Sequence, residues 1–144
     1  MIRILLVDDF LPWHRAVREM FESKTDRKII AVAADGLEAV QKARQLQPDL
    51  ILLDIGLPGL NGIEAARQIR ELSPNSKILF VTQESSAELV ENALRLGAQG
   101  YLLKSEAASE LLLAVDAVLQ GDQFISSRLR PYTLKPEVLR DCKP

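Results

Sequence analysis

Pro48-Asp49-Leu50-Ile51-Leu52-Leu53-Asp54-Ile55-Gly56-Leu57-Pro58-Gly59-Leu60-Asn61-Gly62 is the stretch whose reading decides the fold. Leu50 to Leu53 is an unbroken apolar run. A run this short, with Pro before it and Gly and Pro after it, reads as a strand buried on both faces. Asp54 follows at once, where the chain breaks into a Gly-rich loop. In an open parallel sheet, ligands bind beyond the carboxyl ends of the strands. A carboxylate there is placed for chemistry, but it also suits a turn or a helix cap. On this stretch alone the two readings stand level.

Outward from that strand, similar units recur. Ile2 to Val7 is a strand ending in Asp8-Asp9, and Pro12 suits the first turn of the helix after it. Trp13 and Val17 lie four apart and share a face of it. Ile29 to Ala33 is a short strand, and Asp35-Gly36 turns the chain. Leu37, Val40, Ala43 and Leu46 then mark an amphipathic helix that Pro48 stops. Beyond the opening stretch, Ile63, Ala66, Ile69 and Leu72 mark another helix. Ile78 to Val81 is a strand closed by Thr82. Ser85 or Ser86 caps a helix over Ala87 to Leu96, which Gly97 stops. Tyr101 to Leu103 is a strand closed by Lys104, and Ser105 caps a final helix through Leu119. Strand and helix alternate five times, which implies a parallel sheet with helices on both faces and right-handed crossovers.

The 144 residues suffice for one domain with a sizeable core. At 47% hydrophobic and 26% charged the chain is globular, not disordered. A formal net charge of -2 gives no basic field for nucleic acid. The single cysteine, Cys142, cannot form an intrachain disulfide, and no apolar stretch spans a bilayer. The N-terminus lacks a signal-peptide core, so the expected setting is cytoplasmic, without a membrane. From Gly121 onward the periodicity weakens. Pro131, Pro136 and Pro144 interrupt the tail, and five basic residues (Arg128, Arg130, Lys135, Arg140, Lys143) outnumber three acids (Asp122, Glu137, Asp141). The tail reads as a linker or an irregular extension.

Asp8, Asp9, Asp54, Thr82 and Lys104 stand at four strand ends. In a parallel sheet all these ends lie along one edge, so the five residues converge. Three crowded carboxylates repel and want a cation; Mg²⁺, hard and oxygen-seeking, fits them. An Asp carboxylate is also a nucleophile toward phosphorus. Lys104 would hold a phosphoryl oxygen as a point charge, and the Thr82 hydroxyl would donate to another. His14, the only histidine, is read as lying on an exposed helix face and given no chemistry.

Val7-Asp8-Asp9, Leu53-Asp54 with Leu57-Pro58-Gly59-Leu60-Asn61-Gly62, Val81-Thr82, and Gly97-Ala98-Gln99-Gly100-Tyr101-Leu102-Leu103-Lys104 together resemble the receiver domain of bacterial two-component response regulators. The surroundings of Asp54 and the segment Gly121-Asp122-Gln123-Phe124-Ile125-Ser126 are similar to receivers that carry LuxR-type helix-turn-helix outputs. The resemblance implies a doubly wound, flavodoxin-like, five-stranded parallel sheet of order 2-1-3-4-5. It implies a phospho-acceptor domain over residues 1–120. Residues 121–144 then form a linker or C-terminal extension with no recognisable output domain, in a single-domain receiver or a piece cut after the linker.

By the same resemblance Asp54 accepts a phosphoryl group from a histidine kinase or phosphotransfer protein. Asp9, Asp54 and the backbone carbonyl of Gly56 bind Mg²⁺, and Asp8 acts mostly through water. Thr82 and Tyr101 form a switch, the Tyr101 ring turning inward, that controls partner binding or dimerisation. Lys104 contacts the phosphoryl group. The protein is then a phospho-acceptor rather than an enzyme, acting on DNA only through an output domain. Two departures stand out. Ser105 replaces a Pro common in the family, which favours a trans bond. Gln83 replaces a small residue and narrows access to Asp54.

Two rival readings remain. A Mg²⁺-dependent aspartyl-phosphate hydrolase usually has a second acid two residues after its nucleophile, where this chain has Gly56. The other rival is a receiver-like interaction module that is never phosphorylated. In the last helix, Leu111, Val115 and Val118 suffice to pack on the sheet. Leu112, Leu113 and Leu119 are left over, to be covered by Phe124 and Ile125 of the tail or by a second copy. The reading favours a weak homodimer through this helix, with the Trp13 and Val17 face of the first helix.

Overall fold

A computed structural model describes residues 1–129 of the chain. The tail features from Arg130 onward lie outside the described residues. In chain order the elements are β1 (Ile2–Val7), α1 (Leu11–Phe21), β2 (Arg27–Ala33), α2 (Gly36–Leu46), β3 (Leu50–Leu53), α3 (Gly62–Leu72), β4 (Lys77–Thr82), α4 (Ala87–Arg95), β5 (Gly100–Leu103), α5 (Ala107–Leu119) and β6 (Phe124–Ile125). The strands form one sheet of order β2-β1-β3-β4-β5-β6, parallel throughout. The sheet thus has six strands where five were expected. The sixth lies in the segment read as irregular. Two residues are too few to display a period, and pairing with β5 alone defines them.

Both faces of the sheet are covered, which is why the strands read as continuous apolar runs. Leu5, Val7, Ile51, Leu53 and Phe80 point toward α2, α3 and α4. Their sequence neighbours Ile4, Leu6, Leu50, Leu52, Leu79 and Val81 point toward α1 and α5. Val17 is wholly buried, so the α1 face expected to help a dimer packs inside the core. On α5, Leu112 and Leu119 are half-buried against the second cluster together with Phe124, while Leu113 is 61% exposed. The tail strand therefore covers part of the leucine surplus.

Helix ends reflect local chemistry. Asn61 accepts from the Glu64 N–H (3.0 Å), and Ser86 accepts from the Leu89 N–H (3.1 Å). Ser105 does not cap α5; it lies in a 3₁₀ turn over Lys104–Glu106, and Glu106 occupies the cap position. At the start of α2, Asp35 Oδ1 accepts from Glu38 N (2.7 Å), and Glu38 Oε1 accepts from Ala34 N (2.8 Å). The Ala34 N–H and then Lys42 hold the Glu38 carboxyl below its usual range. Asp35→Ala is expected to lower stability by about 1 kcal/mol, while Asp35→Asn keeps most of it. Urea unfolding of both variants checks this; equal losses would mean the side-chain acceptor is not what matters.

Candidate functional site

Strand order reverses between β1 and β3, since the connection from β1 runs outward to β2 and the chain then returns to β3. Such a switch point opens a crevice at the carboxyl edge. Val7 is paired with Leu53 across it, so Asp8 and Asp54 leave the sheet side by side. The Asp54 N–H donates to Val7 O (3.1 Å), and the Asp8 N–H donates to Ala33 O (3.0 Å). Sheet bonds therefore extend one residue past the strands and hold both acids by their backbones.

Asp8 and Asp54 are buried, and Asp9 is exposed. One carboxylate oxygen from each lies within 4.8 Å of the other two. Lys104 reaches in from the end of β5. Its Nζ stands 2.6 Å from Asp8 Oδ2 and 3.4 Å from Asp54 Oδ2. The ammonium also lies 5.4 Å from the centroid of the Trp13 ring. Asp8 Oδ1 accepts from the Phe10 N–H (2.9 Å), and Asp54 Oδ1 faces the Gly56 N–H at 3.4 Å. Burial pushes the Asp8 carboxyl above its usual range, and the Asp54 charge adds to this. Lys104 and the Phe10 N–H work in the opposite direction.

The donor set suits Mg²⁺. All candidate ligands are hard oxygens, and oxygens bound to one octahedral Mg²⁺ stand about 3 to 4 Å apart. The observed spread of 4.8 Å is a little wider, which small side-chain rotations close. A single ammonium set against two buried carboxylates, with a third beside them, leaves negative charge for a second cation to offset.

Asp9, Phe10, Asp54, Gly56, Thr82, Gln83, Glu84 and Lys104 border an open cleft of about 340 Å³. Every expected site residue except Asp8 and Tyr101 lines it. Asp8 lies beneath it, in contact with Lys104. Gln83 sits at the rim where the sequence placed it, exposed. Thr82 is buried, and its Oγ1 accepts from the Glu84 N–H (3.3 Å). The Tyr101 ring is fully buried, and its hydroxyl donates to Glu84 O (2.6 Å). The ring expected to turn inward is therefore inside in this structure. Burial foremost, with Glu84 and Asp54 adding, pushes its phenol far above the usual range.

His14 departs from expectation. It is buried, and its Nε2 lies 2.6 Å from the backbone carbonyl of Asp8. Helical spacing alone carried a hint of this: His14, Val17 and Phe21 fall at i, i+3 and i+7, and all three are the buried positions of α1.

A buried acidic pair with a bridging lysine, at the switch point of a doubly wound parallel sheet, makes an acidic pocket able to hold a metal ion. The family described as response regulator receiver domain matches residues 4–116. The chain belongs to that family of signalling domains. It is 36% identical over 133 residues to the oxygen regulatory protein NreC of Staphylococcus epidermidis, covering 89% of this chain and 59% of NreC. The chain thus spans little more than half the length of that curated relative. A LuxR-family two-component response regulator from Aurantimonas sp. SI85-9A1 superposes with a TM-score of 0.87 at 34% identity, covering 94% of this chain and 97% of that one. The response regulator domain of Thermotoga maritima CheB superposes with a TM-score of 0.77, also at 34% identity, over 83% of this chain and 97% of that one. The matched region is thus a receiver domain, similar to that of the LuxR-family regulator. Among the described residues no helix is long and apolar enough to cross a membrane.

Proposed function

We propose that Asp54 is the acceptor of a phosphoryl group delivered from the phosphohistidine of a histidine kinase or phosphotransfer protein. The observation that carries this reading is the grouping of three carboxylates within 4.8 Å, with one lysine reaching two of them. An Asp54 oxygen forms the new P–O bond as the P–N bond breaks, and the electron pair leaves with the imidazole. Asp9, Asp54 and the Gly56 carbonyl would hold Mg²⁺, with Asp8 behind them through water. When bound, Mg²⁺ supplies charge neutralisation on the phosphoryl oxygens. Lys104 moves from the carboxylates to a phosphoryl oxygen. Incubation with acetyl phosphate tests the reading. Wild type should label itself with Mg²⁺ present and not with chelator, which separates it from both rivals: a hydrolase would turn over the donor, and an inert module would stay unlabelled.

The switch proposal draws on a chain of two hydrogen bonds, Glu84 N to Thr82 Oγ1 and Tyr101 Oη to Glu84 O. A phosphoryl oxygen on Asp54 recruits the Thr82 hydroxyl as a donor and pulls it from Glu84. The loop after β4 then shifts, and Tyr101 reports it. This is a local charge change acting on a two-state element. Thr82→Ala should still be phosphorylated but lose the phosphorylation-dependent NMR shift at Tyr101; a normal shift would disprove the coupling.

We propose further that residues 1–120 are the phospho-acceptor unit, that residues 121–144 act as a linker or extension of it, and that the setting is cytoplasmic. Transcription control would come through an output domain of the LuxR kind. A weak homodimer through α5 is supported by Leu113, 61% exposed, since the other surplus leucines are packed. Leu113→Glu should abolish a concentration-dependent rise in sedimentation coefficient that the phosphorylated wild type shows. A wild type that stays monomeric when phosphorylated would remove the dimer.

A further inference from the structure

His14 has no role in the phosphoryl chemistry proposed for the site, yet it is the only histidine and is buried. Its Nε2 stands 2.6 Å from the carbonyl oxygen of Asp8. A carbonyl accepts, so Nε2 carries the proton and donates. We infer that His14 is a positioning residue for the cation site, fixing the Asp8–Asp9 peptide so that Asp9 is presented to the metal; this rests on the proposal that Mg²⁺ binds here.

The geometry explains why a donor is needed there. Strand β1 ends at Val7, and helix α1 starts only at Leu11. The Asp8 N–H is taken by Ala33 O, Oδ1 by the Phe10 N–H, and Oδ2 by Lys104. The Asp8 carbonyl is the remaining polar atom of that residue. It belongs to the peptide that leads into Asp9, whose side chain lines the cleft. A donor on that oxygen sets the plane of the peptide and hence the direction in which Asp9 leaves it. His14 supplies the donor from a rigid helix, one turn in, with Val17 and Phe21 holding the same face of α1 in the core. Groups that orient ligands in this way normally change metal affinity about ten-fold or more when lost.

The test uses the whole chain and titrates MgCl₂ against the fluorescence of Trp13, the only tryptophan, whose ring neighbours Lys104. His14→Phe keeps a ring of similar volume and loses the donor. His14→Gln places an amide N–H near the position of Nε2. The Phe variant should bind Mg²⁺ about ten-fold more weakly, and the Gln variant within about three-fold of wild type. Urea unfolding of each confirms that the comparison is between folded proteins. If the Phe variant does not fold, His14→Asn, whose amide falls one bond short, takes its place. A role confined to packing would lower the unfolding midpoint and leave Mg²⁺ affinity unchanged in every variant. That result, or equal losses in the donor and non-donor variants, overturns the inference. A flat wild-type titration instead overturns the Mg²⁺ reading itself and the inference with it.

Discussion

Asp54→Asn is expected to reduce phosphoryl labelling to background while leaving the fold intact. The carboxamide is nearly isosteric, and its oxygen can still face the Gly56 N–H, which stands 3.4 Å from Asp54 Oδ1. It is a far weaker nucleophile than a carboxylate, so the P–O bond does not form. Folding should not suffer. The Asp54 charge is one of the causes that raise the Asp8 carboxyl, so its removal eases the crowding. Lys104 keeps its closer partner, Asp8, at 2.6 Å. The variant therefore separates chemistry from stability. Labelling with acetyl phosphate and Mg²⁺, read by phosphate-affinity electrophoresis beside a urea unfolding curve, checks both halves. Labelling at the wild-type level would place the acceptor elsewhere.

Gly62→Ala is expected to lower stability by about 3 kcal/mol, because added atoms here meet backbone rather than a movable side chain. A Cβ at Gly62 would lie 2.0 Å from Asp54 O and 2.7 Å from Ile55 Cα. The Gly62 N–H also donates to Ile55 O (2.8 Å). The first residue of α3 is thus pressed against the peptide that carries the acceptor. Relief of the clash has to move the loop after β3, so labelling of Asp54 should slow in the same variant. Gly56 is the control: nothing lies within 4 Å of a Cβ there, and Gly56→Ala should change stability by no more than about 0.5 kcal/mol. Urea midpoints of the two variants decide. Equal midpoints would mean that α3 does not approach the acceptor loop this closely.

Much of the fold was legible because the central strands are covered on both faces. Leu50 to Leu53 and Ile4 to Val7 are apolar without interruption, and only a strand between two helix layers tolerates that. The helices were legible from their apolar spacing and from caps such as Asn61 and Ser86, whose side chains bond their own helix. The candidate site was legible for a topological reason. Strand ends of a parallel sheet share one edge, so Asp8, Asp9, Asp54, Thr82 and Lys104 converge wherever the intervening helices run.

Contacts made across the fold were decided by the tertiary structure alone. Strand β6 has two residues, and its identity rests on pairing with Gly100 and Tyr101 of β5. A pattern needs length, and pairing does not. Lys104, expected at a phosphoryl group, stands nearer to Asp8 than to Asp54 in the structure. Tyr101 read as a residue awaiting a change; packing puts its ring inside and gives its hydroxyl to Glu84. A lone polar side chain on an amphipathic helix usually lies at the surface, and the sequence pattern alone places His14 there. Its burial comes from an oxygen that no sequence pattern displays, the carbonyl of Asp8, left without a backbone donor between β1 and α1. Side-chain types and their spacing are written in the sequence. Which backbone atoms remain to be satisfied is settled when the elements pack.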